Sequence, residues 1–79
     1  MPDDLIIFLR VHRTQAGLTQ KQLAEKISVS RKTINTIENG VFTPSTTVAL
    51  KLARALDVSV EALFALAEPE DARDPAPKS

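Results

Sequence analysis

The chain has no cysteine and one histidine among its 79 residues. Without thiols there is no disulfide and no thiolate metal site, which suits a reducing, cytoplasmic setting. A lone His12, with no neighbouring ligand or base, makes neither a metal centre nor a catalytic pair; it reads as a packing residue at a core edge. Glycine occurs only at Gly17 and Gly40, too sparsely for a phosphate-cradling loop. No carboxylate pair sits in a recognisable pocket motif, so these shortages argue against an enzyme and against a bound cofactor. Long apolar runs are missing too. Leu5 to Leu9 is too short for a membrane span or a signal-peptide core, and Asp3 and Asp4 precede it where a signal peptide carries basic residues. The length allows one domain with a modest core and leaves no second domain to hold a small-molecule inducer.

Charge is balanced overall, with ten basic and ten acidic side chains. The distribution is uneven. Residues 1–66 carry a net charge of +2 and residues 67–79 a net charge of −2, the latter from Glu68, Glu70, Asp71 and Asp74 against Arg73 and Lys78. A mildly basic folded part does not suit a protein that coats DNA, but it does suit a sequence reader working with a partner subunit.

What is present is a pattern centred on residues 19–38. Leu23, Ala24 and Ile27, then Val29, then Ile34 and Ile37 are spaced for buried helical stripes. Thr19 can cap a helix, and Gln22 three residues later completes a capping box. Ser30 can cap the next, its hydroxyl reaching the free N–H groups of the following turn. Ala24 is small where two steeply crossing helices must approach closely. The spacing predicts a helix-turn-helix whose second helix carries Arg31, Lys32, Thr33, Asn35 and Thr36 outward.

Around this pair the chain reads as three further helices. Asp3 or Asp4 caps a first one to about Ala16, stopped by Gly17. Leu5, Phe8, Leu9, His12 and Ala16 form its inner face, while Ile7 and Val11 lie together on the opposite side as exposed aliphatics or a second contact surface. Asn39-Gly40 ends the third helix and Val41–Pro44 is a loop. Ser45 caps a fourth helix to about Leu56, with Ala49, Leu52, Ala53 and Leu56 inward. Ser59 caps a fifth, carrying Val60, Leu63 and Phe64 and reaching toward Ala67. Five helices with short connections predict a compact all-α domain over 1–67. Residues 68–79, with Pro69, Pro75 and Pro77 among charges and no large apolar side chain, read as a disordered acidic tail.

In these residues the chain resembles the Cro and repressor-type helix-turn-helix regulators, the XRE family. The resemblance is carried by Leu18-Thr19-Gln20, Leu23-Ala24, Val29-Ser30, Thr33 through Gly40, Pro44-Ser45, Leu52-Ala53 and Val58-Ser59-Val60-Glu61. It runs from about Leu9 to Phe64 and fits the short members best. Ser28 and Asp57 stand where the family often has glycine, and in a left-handed conformation each costs on the order of 1 kcal/mol. The resemblance implies a five-helix lambda-repressor-like fold and a structural ion pair between Arg13 and Glu38. It also implies that Gln20 grips a phosphate and that Arg31, Lys32 and Thr36 are the leading base readers.

Chemistry supports such roles. Arginine binds guanine O6 and N7 bidentately, asparagine adenine N6 and N7, and threonine meets a phosphate or a thymine methyl. Arg31, Lys32, Thr33, Asn35 and Thr36 are therefore the candidate base contacts, and Gln20, Lys21, Ser30, Asn39 and Thr43 the candidate phosphate contacts. One such module buries only about 600–1,000 Å², too little for tight specific binding. The expected partners are therefore double-stranded DNA and a second copy of the chain, through Ala62, Ala65 and Leu66, through Phe42, or through Ile7 and Val11. The expected function is a sequence-specific transcriptional regulator. The alternative is an antitoxin or anti-effector that binds a protein and uses DNA for autoregulation.

Overall fold

The computed structural model describes residues 5–67. Elements run in the order β1 (Leu5–Ile7), α1 (Leu9–Gln15), α2 (Gln20–Ile27), α3 (Arg31–Glu38), α4 (Thr46–Leu56), α5 (Val60–Leu63) and β2 (Phe64–Leu66). Four helices start on a hydroxyl cap. Thr19 accepts from the Gln22 N–H while the Gln22 side chain takes the Thr19 N–H, a complete capping box. Ser30, Ser45 and Ser59 accept from Thr33, Val48 and Ala62. Each of these bonds satisfies a backbone donor that the helix itself leaves free.

Helix ends follow one device. The N–H groups of Leu18, Val29, Val41 and Val58 reach back to the carbonyls of Arg13, Ala24, Thr36 and Ala53. This closure needs a left-handed residue just before the donor. Gly17 and Gly40 supply it at φ 76° and 75°, whereas Ser28 and Asp57 adopt it at φ 61° and 58°. The chain thus keeps the glycine geometry at Ser28 and Asp57 without the glycine.

The ends of the domain depart from an all-α fold. Residues 5–7 are not the start of the first helix; they form a strand paired antiparallel with Phe64–Leu66, in the register Leu5↔Leu66, Ile6↔Ala65 and Ile7↔Phe64. Helix α1 begins at Leu9 after Phe8, which makes no side-chain cap; the expected cap at Asp3 or Asp4 lies outside the described residues. The fifth helix stops at Leu63 instead of running toward Ala67. The described fold is therefore five helices plus a small two-stranded sheet. Burial along Leu5–Ile7 alternates with the two-residue period of a strand. Phe8, placed on the inner face of a helix by sequence, is exposed, and its N–H donates to the Leu63 carbonyl at 2.8 Å. Ile7 does not share a ridge with Val11: it packs against the core, and Val11 alone stays exposed.

The core is apolar throughout. Leu9, Leu23, Ile34, Ile37, Leu52 and Leu63 are fully enclosed, with Ala24, Ile27, Ala53 and Leu56 around them. Every helix contributes, α3 is fixed from behind by α1 and α2, and burying one Leu or Ile contributes about 1.5–3 kcal/mol. Residues 68–79, expected as a tail, lie outside the described residues.

Candidate nucleic-acid interface

Helix α3 is two-faced. Ile34 and Ile37, at 0% exposure, pin one side to the core, while Arg31, Lys32 and Asn35 are exposed on the other. The cause is local: three-residue apolar spacing puts both isoleucines on one stripe and turns the intervening polar residues away from it. Arg31, Lys32 and Asn35 together line one shallow cleft. Ser30, Lys32, Thr33 and Thr36 line an adjoining one with Val41 and Phe42 of the following loop.

The polar side chains are already ordered by one another. Ser30 Oγ caps α3 and lies 2.9 Å from Thr33 Oγ1. The Thr36 hydroxyl donates to the Thr33 carbonyl at 3.0 Å. Asn39 donates to Asn35 at 3.2 Å, and Asn35 donates to Gln20 at 3.5 Å. Gln20 in turn donates its Nε2 hydrogen to Glu38 Oε1 at 3.0 Å. A chain of amides thus runs from the first turn of α2 across α3 to its last turn.

That chain ends on a carboxylate with no exposed side-chain surface. Glu38 accepts from Arg13 Nε at 2.6 Å and Nη2 at 3.2 Å, and from Arg10 Nε at 3.3 Å. Arg13 is 12% exposed at its side chain and Arg10 59%. The Arg13 guanidinium also donates to the Leu18 carbonyl at 2.9 Å, holding the loop before α2. Burial pushes the Glu38 carboxyl upward, but hydrogen bonds from Arg13 and Gln20, the Arg13 charge and the Arg10 hydrogen bond outweigh it. Its pKa is held below the ordinary 4.5, so Glu38 is ionised at neutral pH. Arg10, which also reaches Asn39 Oδ1 at 3.4 Å, was absent from the sequence-derived set. Its position three residues before Arg13, on the same face of α1, was the available signal.

Not every candidate joins this group. Lys21 is exposed on α2 and Thr43 borders an apolar groove with Leu5, Pro44, Leu50, Val60 and Phe64. Among the described residues no His, Cys, Asp or Glu cluster could hold a metal ion, and no helix is long and apolar enough to cross a membrane.

A short helix locked to a core on one side, cationic and amide-bearing on the other, and preceded by a capped helix across a tight turn defines a helix-turn-helix DNA-binding domain. A helix-turn-helix family profile matches residues 9–63, and the chain belongs to this family, in its XRE-type branch. The chain is 44% identical over 61 residues to an uncharacterized HTH-type transcriptional regulator of Methanothermobacter thermautotrophicus, covering 76% of this chain and 88% of that protein. It superposes on the restriction-modification controller protein C.AhdI from Aeromonas hydrophila with a TM-score of 0.64 at 38% identity, over 67% of this chain and 80% of that one. A chain of the SinR–SinI protein complex matches with a TM-score of 0.66 at 31% identity, over 85% of this chain and 64% of that one. The protein is a non-enzymatic DNA-binding transcriptional regulator.

Proposed function

We propose that the protein is a sequence-specific regulator that inserts α3 into the DNA major groove as a homodimer on an inverted-repeat operator. The carrying observation is the polarity of α3: Ile34 and Ile37 are sealed in the core while Arg31, Lys32 and Asn35 are exposed. Arg31 and Lys32, at the leading end, read guanine edges; Asn35 and Thr36 read the next positions, with Thr33 toward the groove wall. Val41 and Phe42, exposed beside Thr36, add apolar surface suited to a thymine methyl or a deoxyribose. Gln20, Lys21, Ser30, Asn39 and Thr43 hold phosphates on either side and set the register. The working unit is residues 1–67, acting in the cytoplasm on the nucleoid, with 68–79 as an acidic appendage.

Dimerisation follows from size. One module buries about 600–1,000 Å², and two recognition helices spaced by one turn of DNA, about 34 Å, double the contact. The apolar groove bordered by Leu5, Pro44, Leu50, Val60 and Phe64, with Leu66 exposed on its strand, supports a self-complementary surface near α5 and β2. The test is selection of bound duplexes from a random pool, followed by gel shifts across salt. Enrichment of a palindrome with half-sites about 10 base pairs apart is the expected result; a pool that stays random overturns the reading. A second reading, in which a protein partner competes for the chain, draws on the likeness to the SinR–SinI complex. A protein that co-purifies with the chain and abolishes operator binding would favour it.

A further inference from the structure

A second cationic surface shares no residue with the clefts on α3. Lys26 at the end of α2 and Lys51 and Arg54 on α4 line one shallow cleft with Ser28. Lys51 and Arg54 continue into a neighbouring cleft with Thr47 and Leu50. Among the described residues no carboxylate lines either one. The ion pairs found among the described residues converge on Glu38, at α1 and α3, and leave these three cations without one. Like charges gathered without a counter-charge repel one another and attract any polyanion, DNA phosphate included. A regulator that reads bases through α3 gains nothing from a second patch that holds DNA in the wrong orientation.

The counter-charge is in the chain itself. Residues 68–74 carry Glu68, Glu70, Asp71 and Asp74 against Arg73. They follow β2 after Ala67, and Leu66 of that strand pairs with Leu5. Leu5 shares a groove with Leu50, and Leu50 shares the next with Lys51 and Arg54. A seven-residue segment reaches up to about 23 Å, and the grooves between the sheet and Arg54 adjoin one another. Attachment to the domain gives the segment an effective concentration on the order of millimolar, so individually weak surface ion pairs suffice.

We propose that residues 68–79 of this chain dock through Glu68, Glu70, Asp71 and Asp74 onto the basic cleft of Lys26, Lys51 and Arg54. The bound segment neutralises that face and confines attraction for DNA to the α3 side. The inference goes beyond the operator reading and does not require it.

The absence of cysteine makes the test direct, because Ser79→Cys accepts a single nitroxide label on the full-length chain. Amide signals of Thr47, Lys51, Arg54 and Lys26 are expected to broaden selectively. The broadening should vanish in the Lys51→Glu/Arg54→Glu variant and near 1 M salt, where the screening length falls to about 3 Å. Neutralising the tail in the full chain (Glu68→Gln, Glu70→Gln, Asp71→Asn, Asp74→Asn) should also remove it and strengthen nonspecific duplex binding. That gain should be missing in the Lys51→Glu/Arg54→Glu background. Uniform broadening, or broadening centred on Arg31 and Lys32, overturns the assignment. So does broadening that arises only between a labelled copy and an isotope-labelled one.

Discussion

Replacing Glu38 by alanine removes the acceptor that three side chains share, and it should damage the fold before it damages any DNA contact. Arg13 is left nearly buried with no counter-charge, and Gln20 and Arg10 lose their common partner. Stranding one member of a buried pair costs about 3–5 kcal/mol. The lower end applies, because Arg10 is 59% exposed and can turn to water while Arg13, at 12%, cannot. About 3 kcal/mol in a domain of this size lowers the melting temperature by about 12–24 °C. Circular dichroism melts at pH 7 read this directly. Glu38→Gln, which keeps an acceptor but not the charge, should lose roughly half as much. The pH dependence supplies a second check. The Glu38 pKa is lower in the folded than in the unfolded chain, so its contribution is complete above the ordinary 4.5 and fades as pH falls through the folded-state value. The gap between wild type and Glu38→Gln should therefore narrow on acidification below pH 4.5. A Glu38→Ala melt within about 4 °C of wild type, the equivalent of 1 kcal/mol, refutes the reasoning.

Arg31→Ala should relax base preference at one operator position by about 1–3 kcal/mol while leaving nonspecific affinity nearly unchanged, as read by selection and competition gel shifts. Gln20→Ala should weaken all duplexes by a similar factor; because Gln20 also bonds Glu38, a small drop in melting temperature should accompany the change. Ser28→Gly should stabilise the domain by about 1 kcal/mol by relieving a side chain held at φ 61°. Asp57→Gly should gain less, since aspartate tolerates that region better, and urea titration of the two variants ranks them.

The central part of the fold was legible because its signals are local. Thr19 with Gln22, Ser30, Ser45 and Ser59 announce helix starts within four residues, and all four caps form. Buried stripes at Leu23, Ala24, Ile27, Ile34 and Ile37 repeat at helical spacing. The ends were not legible for the complementary reason. Leu5, Phe8 and Leu9 fit a helical stripe well enough, and what overrides it is pairing with Phe64–Leu66 at the far end of the domain. Non-local pairing of this kind leaves no trace in a short window. The outward cations and amides of α3 followed from the same periodicity. The amide relay from Asn39 through Asn35 and Gln20 to Glu38 depends on rotamers across two helices, which spacing does not encode.

Sheet pairing also sets an order of events during synthesis. Residues 5–7 leave the ribosome before the helices, yet their partner at 64–66 emerges only after all five described helices have been made. Until then three aliphatic side chains and an open strand edge stay without their mate. The helices can assemble early, but the domain is latched only when Phe64–Leu66 is released.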